Sequence, residues 1–241
     1  MLTLIASSPD WVVTVKPFGV LSEDPAAGSP GRTKPGRPEP DANGSPSSMP
    51  ALLREALAEG GIPFDGLFPV HRLDRTTEGL MLWATNRRAA GILSKAVADG
   101  AFRKTYLALL GADSSLPSSG ELRDFLFFDR RRDKSFVVTG ERKGAKEAVL
   151  RYSLEAPLDW RGHPVTPARV ELMTGRTHQI RVQFASRKSP LAGDGKYGSR
   201  LNFKGPALFC TSLSFPWAGR TGTFTWEPES LLPAKKEELP G

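Results

Sequence analysis

One stretch crowds acid, base, hydroxyl and glycine between two apolar runs: Phe68-Pro69-Val70-His71-Arg72-Leu73-Asp74-Arg75-Thr76-Thr77-Glu78-Gly79-Leu80. A loop that feeds a buried strand is where a rigid scaffold presents reactive groups. Asp74 lies between Arg72 and Arg75, and nearby positive charge favours the ionised form that a nucleophile or base requires. The same spacing also fits a turn aspartate accepting backbone hydrogen bonds beside solvated arginines, because structural ion pairs gather charge too.

A second dense stretch is Leu172-Met173-Thr174-Gly175-Arg176-Thr177-His178-Gln179-Ile180-Arg181. Gly175 permits a tight turn and Thr177 can cap a helix. Arg176 and Arg181 carry planar forks suited to carboxylate or phosphate. A helix start with two solvated arginines has the same composition. A third, Pro190-Leu191-Ala192-Gly193-Asp194-Gly195-Lys196-Tyr197-Gly198, has the glycine density of a structural turn. No GxxxxGK[ST] run occurs, so a phosphate-cradling nucleotide site is not indicated. With 3 histidines and 1 cysteine, no metal-ligand spacing appears and no intrachain disulfide can form.

These stretches need elements to hold them. Leu80–Thr85 reads as a buried strand. Asn86 then caps a helix with Ile92, Leu93, Ala96 and Val97 on one face and Gly100 as its stop. Thr105–Leu110, Ala148–Leu154, Arg169–Met173, Ala207–Phe215 and Thr221–Trp226 read as strands. Thr177–Ala185 is a short helix or, by the alternation of Ile180, Val182 and Phe184, a strand. Strands outnumber helices and often follow one another directly, which predicts an α+β domain with a mixed, mostly antiparallel sheet and a central cleft. Residues 23–50 are rich in Pro, Gly and Ser and read as a flexible insertion, and residues 233–241 as a frayed tail. One catalytic domain over residues 1–232 is expected.

The chain has 241 residues, 39% hydrophobic and 24% charged, the balance of an ordinary soluble protein. Lysine and arginine outnumber acidic residues 33 to 26, a formal charge of +7, and a basic surface favours polyanions through counterion release. No apolar run is long enough to span a bilayer and no secretory leader is evident at Met1–Ile5, so a cytoplasmic location is expected.

Taken together the motifs resemble the RluA family of pseudouridine synthases. His71-Arg72-Leu73-Asp74 followed by Thr77-Glu78-Gly79 resembles the family's catalytic loop, and Lys104-Thr105-Tyr106 its active-site tyrosine motif. Thr174–Arg181, the Lys16-Pro17-Phe18-Gly19 turn, and Gly193-Asp194 with Tyr197-Gly198 resemble further family motifs, all in family order. Glu78 stands where serine is usual, close enough in sequence to affect Asp74 or RNA. Leu208-Phe209-Cys210 replaces a Leu-His-Ala-like run, and no room exists before Trp11 for the S4-type domain that many relatives carry.

The resemblance implies an isomerase that converts uridine in ribosomal or transfer RNA to pseudouridine, acting as a monomer without metal or organic cofactor. Asp74 would be the nucleophile, Arg181 its orienting ion-pair partner, and Tyr106 would stack on the uracil and assist late removal of the C5 proton. Arg72, Arg176 and His178 would contact RNA, and Leu208 would line the base pocket. Two alternatives stand beside this: an RNA-binding protein of the same fold without catalysis, and a hydrolase using Asp74 and Glu78 as a carboxylate pair.

Overall fold

The computed structural model describes residues 2–24, 48–112, 114 and 116–231. In chain order it contains β1 (Leu4–Ser7), β2 (Trp11–Lys16), α1 (Met49–Glu59), β3 (Phe68–Pro69), β4 (Glu78–Ala84) and α2 (Arg87–Ala98). There follow β5 (Arg103–Gly111), β6 (Ser119–Asp129), β7 (Lys134–Val138), β8 (Lys146–Leu154), β9 (Leu158–Trp160) and β10 (His163–Leu172). The chain then forms α3 (Gln179–Ala185), β11 (Leu208–Trp217) and β12 (Arg220–Thr225). The strands join one sheet in the order β1-β2-β4-β11-β5-β10-β8-β6-β7, with β12 on β11, β3 on β4 and β9 on β10. Only the β4–β11 pairing is parallel among the described strands. This is the mixed, mostly antiparallel α+β sheet that the density of adjacent strand signals predicted.

Strand alternation decides what reaches the cleft. Along β5, Tyr106, Ala108 and Leu110 join the main core, whereas Leu107 and Leu109 join a second cluster with Trp160, Val165 and Phe209 on the other face. Successive side chains of a strand point to opposite faces, so Lys104 shares the face of Tyr106. Strand β4 is buried from Gly79 to Ala84, and Trp83 is wholly enclosed. A continuous apolar run of this kind belongs in the middle of a sheet covered on both sides.

Helix α2 starts as predicted: Asn86 Oδ1 accepts from the Ala89 amide at 2.9 Å. Its inward face is narrower than the sequence indicated. Ala89, Leu93 and Ala96 are buried, but Ile92 and Val97 are 43% and 41% exposed. The helix rests on the sheet along a single stripe, and these two residues flank it. The Thr177–Ala185 ambiguity resolves as helix α3, every residue of which from Gln179 to Phe184 is buried. Burial all round leaves no polar face, so alternation there carried no information. Thr177 does not cap it. His178 takes the N-cap position in the left-handed region (φ 54°), and Gln179 Oε1 accepts from the Arg176 amide instead, at 3.0 Å.

Helix α1 and the long β6–β7 hairpin carry no counterpart in the sequence reading. Helix α1 begins inside the span read as an insertion: Met49 and Pro50 are buried, and Met49, Leu53 and Leu57 repeat at helical spacing. Residues 25–47 of that span and the tail at 233–241 lie outside the described residues.

Gly79 is where backbone geometry is most demanding. Its φ is +122°, and a Cβ there would lie 2.3 Å from the Cys210 carbonyl oxygen and 2.6 Å from its amide nitrogen. The parallel β4–β11 contact, with Cys210 opposite Gly79, requires that approach. Gly79→Ala should therefore destabilise the fold by about 2 kcal/mol or more, combining a forbidden φ with a backbone clash. A urea midpoint equal to wild type would show that the two strands separate at no cost.

Candidate active site

The loop bearing Asp74 leaves β3 and enters β4. It is pinned at both ends by backbone. The Val70 amide donates to Leu82 O at 3.0 Å, and the Leu82 amide donates to His71 Nε2 at 3.2 Å. The Thr77 amide donates to Asp74 O at 2.9 Å, closing a turn around the carboxylate residue. Its outer flank is held by the segment after β2. Ser22 Oγ donates to Leu73 O at 2.7 Å and accepts from Leu73 N at 3.1 Å. The Gly19 amide donates to Arg75 O at 2.9 Å, and Arg75 Nε donates back to Gly19 O at 2.8 Å.

Beneath this loop lies Lys16, wholly buried at the end of β2. Its Nζ donates to Arg75 O at 3.0 Å and to Pro17 O at 2.9 Å. Burial lowers the Lys16 amine to about 7, although the charges of Glu78 and Asp74 pull the other way. One side chain thus ties β2 to the residue after Asp74.

Helix α3 forms the opposite wall. Arg181 Nη1 lies 4.0 Å from Asp74 Oδ2 and His178 Nε2 lies 3.9 Å from the same oxygen. Arg181 is held more tightly elsewhere. Its Nε and Nη2 each donate to Asp194 at 2.7 Å, a two-pronged fork in which Asp194 is 1% and Arg181 6% exposed. Burial alone would lower the guanidinium pKa, but Asp194 and then Asp74 outweigh it, so the pKa is raised and the charge is secure. The ion pair with Asp74 expected from the sequence is therefore the long, open side of an arginine anchored by Asp194. The guanidinium also lies 5.0 Å from the Tyr197 ring centroid, while Tyr197 hydroxyl and His178 Nδ1 are 3.0 Å apart. Burial lowers the His178 imidazole most, with Arg181 adding to the shift and Asp74 opposing it.

These walls enclose an open cleft of about 1000 Å³ that Tyr106 and Leu208 also line. Tyr106 is 4% exposed, and burial first, then the neighbouring Cys210 and Asp74, push its phenol well above the usual value. Leu208 begins β11, in register with Ala108. Arg176 lines the cleft with its Nε donating to Glu147 O at 2.8 Å, and Arg72 lies at the mouth, ion-paired with Glu23 at 3.0 Å. All seven residues singled out in the sequence (Asp74, Tyr106, Arg181, Arg72, Arg176, His178 and Leu208) thus border one cavity. A buried carboxylate–arginine wall facing an aromatic floor suits chemistry on a flat, polar ring delivered by a polyanion.

The family model of RNA pseudouridylate synthase matches residues 10–186. The chain belongs to that family. It is 35% identical over 173 residues to an uncharacterized RNA pseudouridine synthase of Bacillus subtilis, covering 70% of this chain and 54% of that protein. It is 32% identical over 167 residues to ribosomal large subunit pseudouridine synthase D of Xylella fastidiosa, covering 69% and 46%. The chain thus spans about half the length of these curated relatives. The fold matches that of human RNA pseudouridylate synthase domain containing 1, with a TM-score of 0.72 at 21% identity, over 97% of this chain and 85% of that one.

Within this family member, two residues the sequence did not assign prove central. Asp194 was read as part of a structural turn, yet it carries the fork to Arg181. The available signal was a carboxylate directly after Gly193, where φ is +77° and a Cβ would lie 2.2 Å from Gly205 O. Lys16 was visible as a charge closing an apolar strand. Glu78, in contrast, does not line the cleft. It sits opposite Phe209 in the parallel pairing, and the charges acting on it are those of Lys16, Glu229 and Arg161. A carboxylate pair of Asp74 with Glu78 across the cleft has no support in this arrangement.

Two outcomes follow from these buried charges. The folded pKa of Lys16, about 7, lies below its ordinary 10.5, so the unfolded chain holds that proton more tightly. The folding penalty is complete below pH 7 and fades as pH rises towards 10.5. Urea unfolding of wild type and Lys16→Met should show wild type gaining stability relative to the variant across that window; parallel profiles would mean that Lys16 keeps its ordinary pKa, and so its charge, in the fold. Asp194→Ala leaves Arg181 buried without its main partner and should cost roughly 3–5 kcal/mol. A loss under about 1 kcal/mol would mean that the fork is solvated rather than structural.

Proposed function

We propose that this protein isomerises uridine in RNA to pseudouridine, with Asp74 as the nucleophile. The observation that carries the reading is the placement of Asp74 in one cleft between Arg181 and the buried ring of Tyr106. In the reaction the N1–C1′ bond breaks, the uracil turns, C5 bonds to C1′, the C5 proton leaves and N1 gains one. Nothing is oxidised and no group is donated from outside. Asp74 adds to the sugar C1′, adds to C6, or assists sugar deprotonation; each route uses a carboxylate held in place. Arg181, fixed by Asp194, orients it.

Tyr106 serves as the surface on which the uracil stacks. Burial raises its phenol above the usual value, so the free protein holds the proton, and late assistance in removing the C5 proton stays part of its proposed role. Arg72 and Arg176, at the mouth and wall of the cleft, contact the RNA around an extruded nucleotide, with His178 beside the reacting carboxylate and Leu208 against the base. Extrusion costs least in loops and single strands, which are the favoured targets. Relatives named for the ribosomal large subunit make ribosomal RNA the first substrate pool to test and transfer RNA the second. The continuous sheet through the site supports one catalytic domain over residues 1–232, and we place it in the cytoplasm as a monomer.

The test is tritium release from RNA transcribed with uridine labelled at C5, with ribosomal and transfer RNA sequences as separate pools. Wild type should release tritium from one pool. Asp74→Asn should abolish release while RNA affinity falls less than about tenfold, since the nucleophile contributes to chemistry more than to binding. Turnover retained by that variant removes Asp74 from the mechanism, and free uracil as product would make the protein a hydrolase.

A further inference from the structure

The cations bordering the cleft are nearly all occupied. Arg72 is paired with Glu23 at 3.0 Å, Arg176 donates to Glu147 O at 2.8 Å, Arg181 is forked on Asp194, and Lys196 is paired with Asp133 at 2.9 Å. Lys104 is the exception. It lines the same cleft and lies on the Tyr106 face of β5, half-buried, yet among the described residues its ammonium has no hydrogen bond and no carboxylate partner. Its Nζ lies 5.9 Å from the centroid of the Phe102 ring.

Among the described residues, the groups around it supply no countercharge. His71 packs against Phe102 at 5.1 Å, and burial holds its imidazole neutral well below the usual range. Cys210 is buried, and burial pushes its thiol up to about 12, so no thiolate faces the amine. The Asp74 carboxylate is directed at Arg181 and His178 across the cleft. Burial of a cation without a partner destabilises the free protein, and it persists where a ligand completes the pair.

We infer that Lys104 grips a backbone phosphate adjoining the target uridine, completing in the RNA complex an ion pair that the free protein lacks. The proposal rests on RNA being the substrate and deepens that reading. RNA brings one negative charge per nucleotide, and a lysine acts on phosphate as a compact point charge with three donors. A contact at this depth exists only when the strand is drawn in and its base lies over Tyr106. It therefore couples backbone capture to base positioning, and Lys104 is a binding residue with no role in breaking bonds.

The test uses the full chain carrying Asp74→Asn, with and without Lys104→Met, and the ribosomal RNA fragment from which wild type releases most tritium, or the one bound most tightly if none reacts. Binding is measured over a range of KCl concentrations. Lys104→Met should weaken binding about tenfold and reduce the slope of log affinity against log salt by about 0.7, the value for one phosphate contact on a single strand. Uncharged methylphosphonates placed singly beside the uridine should weaken binding by the Lys104 protein at one position and leave the Lys104→Met protein indifferent there. The free Lys104→Met protein should melt at the same or a higher temperature, because an unpaired, half-buried charge is gone; a merely structural lysine would lower it. An unchanged salt slope together with a lowered melting temperature overturns the inference. Wild-type turnover with an unchanged slope defeats this inference alone, whereas a flattened slope without turnover leaves it standing and defeats the isomerase reading.

Discussion

The buried fork between Arg181 and Asp194 is the interaction on which the site depends. A guanidinium and a carboxylate removed from water together lose several kcal/mol of hydration each, and repay it only when geometry and hydrogen bonding are close to ideal. Both prongs are 2.7 Å long here, which meets that condition. The fork does more than hold helix α3 to the loop that follows it. By occupying Nε and Nη2, it leaves Nη1 directed towards Asp74 at 4.0 Å, so one edge of the arginine is structural and the other faces the Asp74 carboxylate. The Tyr197 ring beneath the guanidinium limits its remaining freedom.

The other half of the site is built on the same logic with a different cation. Lys16 binds main-chain carbonyls in place of a carboxylate, and through Arg75 O it ties β2 to the turn that presents Asp74. Ser22 and Gly19 add hydrogen bonds to the same loop from the same segment. Asp74 is thus placed by backbone geometry rather than by a short bond to its own side chain. Its carboxylate is 32% exposed, open to substrate while its neighbours are fixed. The role proposed for Asp74 needs that combination, because the positioning is done before substrate arrives and its oxygens remain available.

The sheet supplies the distances. Strands β4, β11 and β5 lie side by side, so Gly79, Cys210 and Tyr106 fall in adjacent rows. Cys210 takes its place behind the tyrosine as a small buried residue. The absence of a side chain on Gly79 lets β11 approach β4 closely, and Leu208 at the start of β11 reaches the cleft as a consequence. Glu78, one residue earlier, is turned by the strand's alternation to the side of Phe209, away from the cavity.

Much of this was legible in the amino-acid order. The long strands β4, β5, β8 and β11 and the Asn86 cap follow from apolar runs and local hydrogen bonding, which depend on near neighbours in the chain. The residues bordering the cleft were legible as well, because reactive groups flanked by glycine and hydroxyl residues in a recurring order leave a strong motif. What the tertiary structure alone decided is which charges face one another. Arg181 meets Asp194 rather than chiefly Asp74, Glu78 lies on the wrong face to join Asp74, and Lys104 meets no carboxylate among the described residues. Helix α3 was ambiguous for the same reason: its every side is covered by distant segments, so no polar face marked its period. Partner choice among charges is set by strand register and by elements brought together across the sheet, and these are sums over contacts far apart in sequence that local patterning does not encode.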